Sequence, residues 1–296
     1  MNREELLKLI KGGETQEVEF KESFQSNQEI SKILCSFANT DGGFLFLGIS
    51  KNGEIKGVKG DIDKLQQDIA NSGQNIFSPP LISTTLHNFD RKQIVLIEIS
   101  KATDKNAHTF EGAVYVRIGS TKHKLEGQSL FDFLKNKQIL CFDETDSEAK
   151  LEDLDASKIQ AYLEKRNQHN YLKSNSIKDF IMSNMLGKAN GVTKIKNAAS
   201  LFFAKEPFKW HPQSEVRLVR FSGLEPVDVL SQQDLQSNPI ENIGQAISFI
   251  RKNISKRFII PEKSARRVEI EDYPLQVIRE AVVNAVAHRD YYSYDS

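Results

Sequence analysis

The chain has 296 residues, which is more than one average domain of roughly 100–200 residues and predicts two or three folding units. Forty lysines and arginines balance forty aspartates and glutamates, so any attraction to phosphate must come from a local surface rather than from the overall charge. Two distant cysteines, Cys35 and Cys141, exclude a disulfide framework, and no apolar run reaches the roughly 20 residues of a membrane span. We therefore expect a cytoplasmic protein without membrane contact.

Helix and strand patterns alternate at close spacing over the first 135 residues. Apolar residues at Val18 and Phe20 predict a half-buried strand, and a capping box at Ser26 and Glu29 predicts a helix over 27–39. The other predicted elements are strands over 44–49 and 55–58 joined by an Asn52-Gly53 turn, a helix capped by Asp61, a hairpin over 81–99, a strand over 113–118 and a helix over 129–135. These patterns predict an α+β fold, with a mixed sheet and helices in a domain of residues 1–138.

An acid-rich segment follows this domain. Over residues 143–155 seven acidic residues accompany one lysine, Lys150, a composition typical of a solvated linker. We therefore predict a linker at 139–155, a mixed α/β connecting region at 156–272 and a C-terminal element at 273–296. The predicted elements beyond the linker are helices over 156–166 and 176–186, a strand over 216–221, a helix over 240–254, two short strands within 256–271 and a last helix with Pro274 in its first turn.

Several common site motifs are missing from the sequence. There is no GxxxxGK[ST] loop, HExxH, GxSxG or CxxC, and the six histidines are dispersed without metal-ligand spacing. Phosphate-loop, zinc and serine-hydrolase sites therefore have no support in the sequence; we expect no bound metal in this chain, and whether it is an enzyme stays open.

Three motifs in residues 10–135 carry a family resemblance. They are Glu19-Phe20-Lys21, the run from Phe37 to Gly43 (FANTDGG), and the strand that contains Gly48 followed by a turn at Gly53. This arrangement resembles the Schlafen AlbA-like (divergent AAA) domain, found at the N-terminus of bacterial and archaeal transcriptional regulators and in animal Schlafens. The resemblance implies a nucleic-acid-binding regulator of transcription, with DNA favoured over RNA, that forms a homodimer.

Basic side chains in the same region are candidates for contact with phosphate. They are Lys21, Arg117, Lys122 and Lys124, residue types that commonly bind the nucleic-acid backbone. Residues 1–135 contain 17 basic and 18 acidic residues, so a binding face requires these cations to be segregated from the carboxylates. A solvated surface is the alternative for each of them.

Two alternative functions remain open for the N-terminal domain. Some animal Schlafens use it as a metal-dependent ribonuclease with three acids, and the resemblance places two of these at Glu14 and Glu19. The positions after the glycine strand are Ser50 and Lys51, and a lysine there repels a divalent cation, so Asp41 or Glu54 would have to supply the third acid. The other alternative is an assembly module that dimerises without binding DNA.

A second resemblance lies at the C-terminus. Glu280, Asn284 and His288 recur every four residues and so form one polar ridge on a helix. The stretch resembles the first ATP-binding box of a GHKL-type ATPase domain, in which the Asn ligates Mg²⁺ and the Glu orients water. Such a site also needs a later Asp and a glycine-rich lid, which do not follow here, so the ATPase domain looks incomplete. We expect ATP and Mg²⁺ to bind only in a complete protein; a micromolar ATP affinity lost on Asn284→Ala would contradict this.

Overall fold

The structure is a computed structural model, and it describes residues 1–103, 105–190, 192–223, 225–254, 256–259, 268–271 and 273–294. The chain divides into two compact units, Met1–Leu140 and Cys141–Ser296, instead of the three regions and linker expected from the sequence. Both units contain helices and strands, so the predicted α+β class is confirmed. Within the described ranges, no helix combines the length and apolar character needed to cross a bilayer.

The N-terminal unit is built on a four-stranded mixed sheet. Its helices are α1 (Arg3–Gly12), α2 (Asn27–Ala38), α3 (Ile62–Gln74) and α4 (Gly127–Asn136), and the sheet contains β1 (Val18–Lys21), β2 (Gly43–Leu47), β3 (Ile82–Phe89) and β4 (Lys92–Ile99). The strand order is β1-β2-β4-β3; β1 and β2 are parallel and the other pairs are antiparallel. A separate hairpin pairs β5 (Tyr115–Ile118) with β6 (Thr121–Lys124).

Helices cover both faces of this sheet. One cluster joins Leu45, Leu47 and Ile97 to buried residues of α2 and α3, and a second joins Phe46 and Leu96 to α1. Burial on both faces explains why β2 and β4 are almost continuously apolar instead of alternating. A one-residue slip would exchange the side chains of the two faces, which pack against different helices, α2 and α3 on one face and α1 on the other.

The segment after β2 differs from the predicted hairpin. Ile49 and Ile55 form a single antiparallel bridge, and residues 55–58 do not form a strand. Strand β2 already pairs with β1 on one edge and β4 on the other, so no edge is left for a returning strand. The segment instead crosses the end of the sheet: the Gly48 amide donates to the Lys21 carbonyl (2.8 Å) and the Val58 amide to the Gln93 carbonyl (2.7 Å).

The C-terminal unit contains short helices and two-stranded pairings. Its helices are α5 (Ala156–Lys165), α6 (Tyr171–Ser174), α7 (Ile177–Ser183), α8 (Asn197–Phe203), α9 (Pro207–Trp210), α10 (Pro239–Asn253) and α11 (Leu275–Ala287). Its strands pair antiparallel as β7 (Gly187–Asn190) with β8 (Val192–Ile195), β9 (Val216–Phe221) with β10 (Val229–Leu235), and β11 (Lys256–Ile259) with β12 (Val268–Glu271). The regions expected at 156–272 and 273–296 are therefore parts of one unit.

The acid-rich segment 143–155, expected as a linker, packs into this unit. Ala149 and Leu154 are buried in its core, and the Asp155 amide donates to the Phe203 carbonyl at 2.8 Å. Most of the acidic side chains remain exposed around these two anchors. Composition records the exposed charges but not the two small apolar contacts, and this is why the segment resembles a linker in sequence.

A buried histidine lies in the same unit. The Nε2 atom of His211 is 2.7 Å from Ser200 Oγ, which is 2.8 Å from Ser147 Oγ, and the ring packs edge-on against Phe142. Burial lowers the pKa of His211 from 6.5 to about 4. The imidazole is therefore neutral in the folded protein at neutral pH.

The stability of the C-terminal unit should fall between pH 6.5 and about pH 4. In that range His211 is protonated in the unfolded chain but not in the folded unit. This difference lowers the free energy of unfolding by on the order of 3 kcal/mol over the whole interval. Thermal denaturation followed across this range should show a clearly weaker pH dependence in His211→Gln. An identical pH dependence in the two proteins would contradict the assignment.

Candidate functional site

A groove of about 640 Å³ opens where β1 ends, beside the β5–β6 hairpin. Its charged lining residues are three lysines and three glutamates: Lys21, Lys51, Lys122, Glu14, Glu19 and Glu22. The structure thus brings Lys21 and Lys122, two of the predicted phosphate contacts, to one groove together with Lys51. Because the lining charges are balanced in number, the partners of each side chain decide what the groove can bind.

Glu19 is held by two cations. One carboxylate oxygen accepts a hydrogen bond from Arg117 Nη1, and the other lies 2.9 Å from Lys21 Nζ. Burial alone would raise the pKa of Glu19, but the hydrogen bonds and charges of Lys21 and Arg117 together lower it below its ordinary value. Glu19 is therefore ionised, with its charge matched from within the unit.

Arg117 occupies the interior of the unit, where its side chain has no exposed surface. Its Nε donates to the Gln16 carbonyl at 2.7 Å, its Nη2 donates to the Thr15 carbonyl at 2.9 Å, and its guanidinium lies 4.2 Å from the centre of the Phe37 ring. The sequence predicts a phosphate contact for this residue, but the structure gives the guanidinium no path to a ligand. Arg117 instead joins β5 to the segment before β1 and so fixes one wall of the groove.

The remaining cations differ in exposure and in partner. Lys122 is partly exposed and its Nζ lies 2.5 Å from Glu29 Oε1. Lys124 is more exposed and lies 2.5 Å from Glu126, and it is not among the groove-lining residues. Lys51 is exposed, and in the described part of the chain it forms no ion pair. From the sequence, Lys51 is identified only as a cation that would repel a metal. Its place shortly after the predicted strand that contains Gly48 is the signal that could have predicted its position in the groove.

Glu14 and Glu19 share the groove, as the nuclease alternative requires, and both already make hydrogen bonds within the unit. Glu14 Oε1 accepts a hydrogen bond from the Phe20 amide at 3.1 Å, and both oxygens of Glu19 are engaged by cations. Among the residues that the structure describes, no group of three His, Cys, Asp or Glu side chains is placed to hold a metal ion.

The two acids that could have completed a metal site lie outside the groove lining. Asp41 Oδ1 is 2.8 Å from Lys101 Nζ, and Glu54 Oε2 is 2.7 Å from Lys56 Nζ. Each carboxylate is thus paired with a lysine.

Two of the three predicted nucleotide-binding residues, Glu280 and Asn284, lie on α11, and His288 is the residue that caps its C-terminus. Glu280, Asn284 and His288 are all exposed, whereas Ile278 and Val286 on the same helix are buried. The helical spacing therefore produces the expected polar ridge.

The fold and groove of the N-terminal unit define a compact α+β domain whose sheet end carries a polar site. Residues 14–126 match the family model of the Schlafen AlbA_2 domain, so the sequence-based resemblance is confirmed for this part of the chain.

Two solved structures resemble the chain at low identity. One is the DIP2311 protein of Corynebacterium diphtheriae, with 17% identity and a TM-score of 0.39 over 95% of this chain and 57% of that chain. The other is the N-terminal domain of a RecG-related protein of Nitrosomonas europaea, with 22% identity and a TM-score of 0.29 over 42% of this chain and 92% of that chain. The present chain therefore spans little more than half the length of the Corynebacterium protein. No curated protein matches it.

Proposed function

We propose that the N-terminal unit binds the phosphate backbone of nucleic acid, DNA in preference to RNA, in the groove at the end of β1, and that the protein regulates transcription. The observation that carries this proposal is the convergence of Lys21, Lys51 and Lys122 from three separate segments, while buried Arg117 matches the charge of Glu19. Cations converging on a groove raise the local concentration of a polyanion.

Polar groups beside the lysines suit a phosphate rather than a base edge. Ser23 and Ser120 line the same groove and offer hydroxyl donors, whereas the Thr121 hydroxyl already donates to the Ile118 carbonyl. Lysine and hydroxyl contacts to phosphate position a protein on nucleic acid without reading its sequence. We therefore expect binding that depends strongly on salt and weakly on base sequence.

The C-terminal ridge provides the second part of the proposal. In the complete protein Glu280, Asn284 and His288 would contribute to an ATP and Mg²⁺ site, and ATP would modulate the action of the nucleic-acid-bound homodimer. Their exposure on α11 leaves them accessible to further residues that would close a nucleotide pocket.

Charge reversal at Lys51 tests the groove. In fluorescence anisotropy with a labelled duplex at about 100 mM salt, Lys51→Glu should weaken binding by about tenfold and lower the salt slope by about one. Lys105→Glu, at an exposed site in the segment that follows β4, is the matched control and should change affinity by less than about twofold. Equal affinities for wild type and Lys51→Glu would contradict the proposal.

The two alternatives have their own signatures. Cleavage of tRNA with Mn²⁺, lost on Glu14→Ala, would favour the nuclease over the regulator. A dimeric mass in light scattering, together with no detectable DNA binding at low salt, would favour an assembly module.

A further inference from the structure

A second cationic surface lies at the same end of the sheet as the groove. A cavity of about 360 Å³ separates residues 56–59 from the β3–β4 turn, and its lining contains Lys56, Lys59, Arg91 and Lys92. We call these four residues the turn patch. Asp90 is the one acidic residue among the lining residues of this cavity.

The strand register places the groove and the turn patch at the same end of the sheet. Lys21 is the partner of Leu47, Leu47 is the partner of Val95, and Val95 is the partner of Leu86. Strands β1 and β2 therefore end on the same side of the sheet as the β3–β4 turn, and β3 and β4 extend three residues further, to the Phe89–Lys92 pair. The segment 48–58 crosses this end of the sheet, from a hydrogen bond to the Lys21 carbonyl to a hydrogen bond to the Gln93 carbonyl. Lys51 and Lys56 belong to this segment. Four strands at about 4.8 Å spacing make this end of the sheet about 14 Å wide across the strands.

Most cations of the turn patch are not matched by carboxylates. Lys56 pairs with Glu54 at 2.7 Å, and Lys92 Nζ donates to the Ile55 carbonyl at 2.7 Å. Lys59 and Arg91 are exposed, and neither forms an ion pair with any described residue. Clustered like charges repel one another and weaken the folded state, so an unmatched cluster is better explained by a polyanionic ligand than by a structural role.

We infer that the turn patch extends the phosphate track of the groove, so that the ligand is a polynucleotide and not a single nucleotide. This inference rests on the proposed function of the groove. Successive phosphates of one strand are about 3.4 Å apart along the duplex axis, so the end of the sheet, about 14 Å wide, spans about four of them. Lys51 lines the groove and belongs to the segment 48–58, which also carries Lys56 of the turn patch.

The test compares two ligands on the full chain: a labelled dinucleotide, and a labelled duplex of about 20 base pairs. Reversing both unmatched cations in K59E/R91E should weaken duplex binding at least tenfold and lower the salt slope by about two, because each phosphate contact contributes about 0.9 to the slope. The dinucleotide should bind this variant within twofold of wild type. The charge-matched control K105E/K173E, at two exposed sites outside the turn patch, should bind the duplex like wild type.

Failure of this inference is distinguishable from failure of the proposed function. If K59E/R91E binds the duplex like wild type while Lys51→Glu weakens duplex binding, the turn patch does not contact the duplex, and the proposal of phosphate binding in the groove is retained. If the wild-type chain binds neither ligand, both are wrong. K59Q/R91Q removes the positive charges without adding acids and should weaken duplex binding at least threefold, so a folding defect in the charge-reversed variant does not prevent a decision.

Discussion

Replacing Arg117 with Met is expected to destabilise the N-terminal unit by about 3–5 kcal/mol, because it leaves the buried carboxylate of Glu19 without its buried partner. Glu19 and Arg117 are 5% and 3% exposed, so water cannot take over the lost interaction. The substitution also removes the hydrogen bonds to the Gln16 and Thr15 carbonyls. Differential scanning calorimetry should show a melting transition lowered by about 10 °C.

Two controls isolate the ion pair from general packing damage. The double variant Glu19→Gln/Arg117→Met should be more stable than Arg117→Met alone, since no unpaired charge remains. The pKa of Glu19 is lowered in the folded protein, so the stabilisation from its charge is present above the ordinary value of 4.5 and is lost as the pH falls through the folded value. Arg117→Met should therefore cost less at about pH 3 than at about pH 7. An equal cost at both values would contradict the role assigned to the pair.

Substituting Gly42 with Ala is the second change with a large expected effect. Gly42 joins α2 to β2 with a φ of 74°, and an added Cβ would lie 2.6 Å from the Ile99 carbonyl oxygen and 2.7 Å from the Lys101 amide nitrogen. Both neighbours are backbone atoms that cannot rotate away. The left-handed conformation costs alanine about 1–2 kcal/mol and the overpacking a further 1–3 kcal/mol, so we expect a loss of about 3 kcal/mol in chemical denaturation.

Gly112 provides a control with the same backbone conformation. It also has a φ of 74°, but nothing lies within 4 Å of its added Cβ. Gly112→Ala should therefore cost only the conformational part, about 1–2 kcal/mol. Equal losses for the two variants would show that the close approach at Gly42 does not matter.

Local signals predicted the elements whose start or turn is coded by neighbouring residues. The Ser26 side chain caps α2 and the Asp61 side chain caps α3, and the hairpin over 81–99 forms as its pattern predicts. Helix α1 was not predicted, although Asn2 and Glu5 form a capping box before its two buried residues. The sequence signal for this helix is therefore its capping box.

Features set by tertiary pairing could not be predicted in this way. The hairpin prediction for 55–58 is wrong because β1, distant in sequence, occupies the edge of β2 that a returning strand would need. The sequence shows that Arg117 is a cation but not that it lies inside the unit, since its partner Glu19 is 98 residues away. The same limitation applies to the turn patch, because its members meet only after β3 and β4 have taken their places in the sheet.

Lysine protection by bound DNA tests the central claim most directly. The full chain is acetylated at low reagent concentration with and without a saturating duplex, and the modification of each lysine is measured by mass spectrometry. Binding along the sheet end predicts strong protection of Lys51, Lys59 and Lys122, with Lys105 and Lys173 modified equally in both samples. Equal modification of Lys51 and Lys122 with and without a duplex that is shown to be bound would contradict the account.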